Sequence, residues 1–174
     1  MRDVWQEHVA WTRNVILCLV DDLPGKTQAV NRLLQNQKDI ANTFKPYYGA
    51  AAAQQLTDLL TQHIMLFPDV VQAYMLGDKA ACAAAELKWN ANAAAIAAFL
   101  SKSNPNWGLA DMEKMMDQHL KLTTDEAVQR IQKDYEADVT AYDKAQHAMQ
   151  KMADMLTDGI VQQFPTKFRP IATK

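Results

Sequence analysis

Residues that break helices or staple folds are scarce in this 174-residue sequence, which has five glycines, six prolines and two cysteines. Cys18 and Cys82 have no C-x-x-C spacing, which removes a thioredoxin-like or zinc-ribbon centre from consideration. Each falls among apolar or small residues, so both are expected as buried free thiols. An excess of one charge is also missing: 18 Lys and Arg stand against 20 Asp and Glu, a formal charge of −2. That balance provides no broad electrostatic footprint for nucleic acid or anionic lipid. The longest apolar run near the N-terminus, Val15 to Val20, falls far short of the ~18 to 20 residues that span a bilayer. Arg13-Asn14 before it and Asp21-Asp22 after it do not make a secretion leader. Neither a G-x-S-x-G elbow nor a Gly-rich phosphate loop occurs, which speaks against hydrolase and nucleotide-binding chemistry.

What is present is helix-forming sequence. Ala, Leu, Gln, Lys and Met dominate long runs, and the few glycines and prolines cluster between them as turns. Leu23-Pro24-Gly25-Lys26-Thr27 is expected to end a first helix of about residues 3–22, and Lys45-Pro46-Tyr47-Tyr48-Gly49 a second of about 27–45. Gly77 and Asp78 read as the C-terminal cap of one helix and the N-cap of the next. Ser103 to Gly108 forms another break. Thr123-Thr124-Asp125-Glu126 has capping-box form and predicts an interruption of the fifth helix, while Pro68 predicts a kink in the third. Whether Asp134 caps a separate sixth helix is left open by the pattern.

The runs are also related to one another. Gln62-His63-Ile64 aligns with Gln118-His119-Leu120 at an offset of 56 residues, and Glu7-His8-Val9 joins them at 55. Leu33, Asn36, Ile40 and Ala41 fall on Trp89, Asn92, Ile96 and Ala97 at the same offset of 56. The expected fold is all-α: an up-down bundle of about six helices made of three tandem hairpins. It is placed as one domain over residues 1–165, with 166–174 as a basic, frayed tail.

Each histidine of the repeat sits in an apolar stripe: His8 with Val4, Trp11 and Val15, His63 with Leu59, Leu60 and Phe67, His119 with Met112, Met115 and Met116. Three imidazoles therefore point inward from helices that run in the same direction. Asn36 and Asn92 lean into the same layer, and Trp11 and Thr12 lie beside His8, completing a candidate ligand-binding set. On the last helix Asp143 and His147 are four residues apart and can pair. The stripe there runs through Val139, Tyr142, Gln146, Met149, Ala153, Leu156 and Ile160.

Two readings of the layer follow. Buried imidazoles and amides can satisfy one another and fix helix register. Three neutral imidazoles, with or without a carboxylate, also suit a transition metal such as zinc, copper, iron or nickel, or a small polar ligand. A ferritin-like di-iron centre is not expected, because the paired Glu-x-x-His motifs are missing. Tryptophans and methionines on the apolar faces read as core. A third reading makes Asp143-polarised His147 a general base.

Glu7-His8-Val9-Ala10-Trp11-Thr12-Arg13, Asn36 to Ala41, Lys45 to Gly49, Asn104-Pro105-Asn106-Trp107, His119 to Thr123 and Gln163 to Phe168 together resemble a group of uncharacterised bacterial helical-bundle proteins. These are often exported and frequently carry a glycosyltransferase label that none of these residues supports. The resemblance spans nearly the whole chain and implies a mature extracytoplasmic domain, not an activity. The chain departs from the group's pattern where Gln62 and Gln118 replace an acid before each histidine, where Ala95 replaces another acid, and where Ala148 stands at a further histidine's place.

Overall fold

A computed structural model describes residues 1–168. It is all-helical, with α1 at Arg2–Val20, α2 at Lys26–Leu76, α3 at Lys79–Ser103, α4 at Leu109–Ile131 and α5 at Tyr135–Gln163, followed by a 3-10 turn at Pro165–Phe168. Consecutive helices pack on one another, and α5 returns against α1, so the bundle closes. No helix among the described residues is long and apolar enough to cross a membrane.

Five helices stand where about six are expected, because α2 holds two helical arms that meet at Gly49, the last residue of the expected break. The chain stays helical through Pro46 and turns at Gly49, whose φ of 85° and ψ of 173° make it the one residue inside α2 outside the helical region. Glycine reaches that conformation at little cost, whereas a side chain would be strained there. The first arm of α2 packs on α1 and the second on α3, as hydrogen bonds from Asn36 to the Val4 carbonyl and from Asn92 to the Leu59 carbonyl record. Pro68 lies inside the second arm of α2, and Gly49 is the one α2 residue outside the helical region.

The capping box also gives way. α4 runs unbroken through Thr123 to Glu126, because the Thr123 hydroxyl donates back to the His119 carbonyl oxygen at 2.9 Å and the Glu126 carboxylate is taken by Arg13. The break comes at Lys133, with a φ of 61°, and Asp134 caps α5 by accepting from the Ala137 N–H. Gly77 and Asp78 act as read: the glycine ends α2 in the left-handed region, and the Asp78 carboxylate accepts from the N–H groups of Ala80 and Ala81. Val139, expected on the buried stripe of α5, is exposed, and Ala141 and Ala145 face the core in its place. Cys18 and Cys82 are free but only half-buried.

At one end of the bundle Tyr48 joins three segments. Its hydroxyl accepts from Asn104 Nδ2 and donates to Gln163 Oε1, both at 2.9 Å, while its ring meets Phe44, Trp107 and Phe164. Lys167, expected in a frayed tail, donates to the Pro46 carbonyl and lies over the Tyr47 ring; the remainder of that tail, 169–174, lies outside the described residues. Trp107 is 1% exposed and rests on Gly159 of α5, where an added Cβ would fall 2.0 Å from the indole Nε1. Gly159→Ala therefore forces the indole out of its bed. A loss of about 2 to 3 kcal/mol in urea unfolding is expected, and an unchanged midpoint would refute the contact.

At the opposite end Arg13 of α1 enters a buried ion cluster. Its guanidinium donates to Glu126 Oε1 and Asp138 Oδ1, both at 2.8 Å, and rests on the Tyr142 ring. Arg130 approaches Asp138 at 3.5 Å and pairs with Asp21. Burial pushes the Glu126 carboxyl up to about 7, against the pull of Arg13 in the other direction.

A candidate binding site at the histidine cluster

Between these two ends the three inward histidines meet. His8 from α1, His63 from the second arm of α2 and His119 from α4 face one small cavity of about 20 Å3. The His119 ring centroid lies 5.7 Å from that of His8 and 5.8 Å from that of His63. Apolar stripes at helical spacing bring them inward, and the shared direction of their helices puts them at one height. His8 and His63 are 3% exposed, while His119 is half-buried.

The amide of Asn92 fixes His63. Asn92 Nδ2 donates to the Leu59 carbonyl at 3.1 Å and to Gln62 Oε1 at 3.0 Å, so Asn92 Oδ1 faces His63 Nδ1 at 2.8 Å as the acceptor. Nδ1 then carries the proton, and Nε2 keeps a bare lone pair. That Nε2 is buried and the described residues give it no hydrogen-bond partner. Trp89 stacks on the same ring, with centroids 5.1 Å apart. His8 is held more loosely: Gln37 Nε2 reaches its Nδ1 at 3.4 Å while donating to the Leu33 carbonyl at 2.7 Å, and Trp5 packs edge-on against it. Among the described residues His119 has the Thr123 hydroxyl alone, at 3.4 Å from its Nδ1. The position that would supply it an amide at the repeat offset is Ala148.

Burial keeps all three rings neutral. It drives His8 down to about 3, with the His63 ring acting the same way and Asn36 in the opposite direction. It drives His63 down to about 4, partly offset by Asn92, and His119 well below its ordinary value. The neutral imidazole is the form that ligates metals or accepts a hydrogen bond. Among the described residues no group of three or more His, Cys, Asp or Glu side chains is placed to hold a metal ion.

The other expected site residues divide. Asn36 and Asn92 lie in the layer, whereas the Thr12 hydroxyl is spent on the His8 carbonyl at 2.8 Å. Trp11 turns toward a separate small cluster with Val15 and Leu33 and lies under Arg32. His147 is exposed, and its Nδ1 faces the main-chain oxygen of Asp143 at 2.7 Å, not the carboxylate. Gln37, Trp89, Met116 and Met152 belong to the cluster or its cavity without having been singled out. The tryptophan and methionines read as core, and no spacing pointed to Gln37. Larger hollows, such as one of about 520 Å3 between α4 and α5, are open surface grooves away from the imidazoles.

The chain matches no protein-family model, no curated protein and no solved structure.

Proposed function

We propose that this protein binds a single small species, a transition-metal ion, at His8, His63 and His119 inside the bundle. The observation that carries the reading is the buried Nε2 of His63, a lone pair without a protein partner beside two further neutral imidazoles. Buried polar groups are usually satisfied, and this ring nitrogen is one of five buried side-chain atoms without a partner among the described residues, with Gln37 Oε1 and the indole Nε1 atoms of Trp5, Trp89 and Trp107. Asn92 behind His63 is the kind of outer partner that orients a metal-ligating ring. The cavity has room for about one water-sized species. Imidazoles around one tetrahedral ion, at nitrogen–metal distances of about 2.0 Å, have ring centroids roughly 5 Å apart. The His8–His119 and His63–His119 pairs, at 5.7 and 5.8 Å, stand within 1 Å of that spacing.

We further read the chain as three hairpins. The bond from Asn36 to the residue four before His8 and that from Asn92 to the residue four before His63 support it, with Gly49 as the turn between the first pair and the second. The resemblance to exported proteins supports an extracytoplasmic setting. The competing reading, a polar layer that only sets register, has the His63–Asn92 pair in its favour.

Melting of tag-free, chelator-stripped protein separates the two. A metal at about 100 times its Kd adds about 2.7 kcal/mol, worth roughly 5 to 10 °C in Tm at this size. His63→Leu is expected to abolish the rise at a cost of about 1 to 3 kcal/mol to the metal-free protein, because Asn92 Oδ1 loses its partner. Wild-type protein whose Tm is unmoved by zinc, cobalt, nickel and copper would leave the packing reading in place.

A further inference from the structure

The aromatic end of the bundle makes one wall of the histidine cavity. Phe44 is 2% exposed, lines the cavity, and packs on Tyr48 and Trp107 with ring centroids 5.9 Å away in each case. Phe164, just past α5, meets Tyr48 at 5.5 Å and Tyr47 at 5.6 Å, and Phe168 stacks on Tyr47 at 5.7 Å. Phe44 to Tyr48 form the last turn of the first α2 arm, ending at Gly49. That glycine has a φ of 85°, and no atom lies within 4 Å of where its Cβ would stand, so the joint is free of packing.

The turn at Pro165–Phe168 holds this arm from outside. A helix that stops leaves its last carbonyls without intrahelical partners, and Lys167 donates to one of them, that of Pro46. Its ammonium lies 5.1 Å from the Tyr47 centroid and 5.4 Å from that of Phe164. A cation is favoured both at a helix C-terminus and over aromatic faces. The turn is lightly anchored nonetheless: none of its residues is buried. Segments with few buried contacts open locally, well below the free energy of global unfolding. The opposite end has no such joint, because Arg13 there is tied to buried Glu126 and Asp138.

We propose that the C-terminal turn is a latch with Lys167 as its catch, whose release lets the end of the first α2 arm swing about Gly49, withdraw Phe44 and admit small solutes to His8 and His63. The latch concerns access alone and does not rest on the cavity holding a metal. His119 is the one lining residue that is not buried, so His8 and His63 carry the test.

The whole chain is treated with diethyl pyrocarbonate at pH 7, which acylates neutral imidazole, and each histidine is followed by peptide mass spectrometry. Exposed His147 is the internal control. Lys167→Met, an exposed change that keeps the fold, is expected to speed modification of His8 and His63 roughly fivefold, leaving His147 unchanged and the urea midpoint nearly so. Arg13→Met lowers the midpoint but leaves the His8 and His63 rates in water within about twofold of wild type. Rates at His8 and His63 that ignore Lys167→Met, or that follow the urea midpoint through both variants, overturn the latch. The first result places entry elsewhere, such as past His119, and the second shows that the cavity opens only on global unfolding.

Discussion

Between pH 6.5 and 4.5 the protein loses stability at about 2.7 kcal/mol per pH unit, a net difference of two bound protons at about 1.36 kcal/mol each. The unfolded chain takes up a proton on His8, His63 and His119 as the pH falls past the ordinary imidazole value of 6.5, while the folded chain resists until about 4 at His63 and about 3 at His8. Those three groups contribute stability that is complete above pH 6.5 and fades below it. Glu126 works the other way. Its folded value of about 7 lies above its ordinary 4.5, so it gains stability as the pH falls through that interval and cancels one of the three protons. Two pH units remove roughly 5 kcal/mol, as much as the whole stability of a marginal domain. Urea midpoints from pH 8 to 4 test this. His63→Leu should halve the slope to about 1.4 kcal/mol per unit and Glu126→Gln should steepen it to about 4. A wild-type profile flat from pH 6.5 to 5 would show that the imidazoles are not buried as described.

Replacing Arg13 by Met costs about 3 to 5 kcal/mol at pH 8, because removing one partner of a buried ion cluster strands the others. Glu126, 2% exposed, is left with no cation, and Asp138, 1% exposed, keeps only Arg130 at 3.5 Å. The loss shrinks toward pH 6, where Glu126 takes a proton. It is partly repaired at pH 8 by adding Glu126→Gln, which removes the stranded charge and leaves Arg130 facing Asp138. Chemical denaturation of the single and double variants at both pH values measures the effect. Equal losses at pH 8 and pH 6 would show that Glu126 is not the group left exposed to the deficit.

Local signals in the sequence were sound wherever one residue sets one backbone angle or one hydrogen bond. Gly77 and Asp78 end and begin helices as read, and Asn104 sits in the break before α4. Periodicity also brought His8, His63 and His119 to the interior. It failed where a distant group competes for the same residue. Thr123 and Glu126 have the form of a cap, yet Arg13, 113 positions away from Glu126, claims the carboxylate and the helix runs on. Within the expected break at Lys45 to Gly49 the turn falls at Gly49 and not at Pro46, and the Tyr48 hydroxyl between them is held by Asn104 and Gln163. Val139 falls in phase with the apolar stripe but lies near the start of α5, where buried Asp138 must turn inward to the arginines. The candidate site divides the same way: the imidazoles are legible from spacing, while the partners Gln37, Met116 and Met152 follow only from how the helices pack.

The stacking of Trp89 on His63, and of Trp5 edge-on against His8, gives the cluster an optical voice. Both indole N–H groups are buried without a hydrogen-bond partner among the described residues, so their ground states are set by apolar surroundings. Light absorbed by either ring is spent within contact distance of an imidazole, and any change of charge or electron count at that imidazole alters how the excited state decays. Emission from Trp5 and Trp89 is therefore expected to change with the charge of His8 and His63, over a background from Trp11 and Trp107.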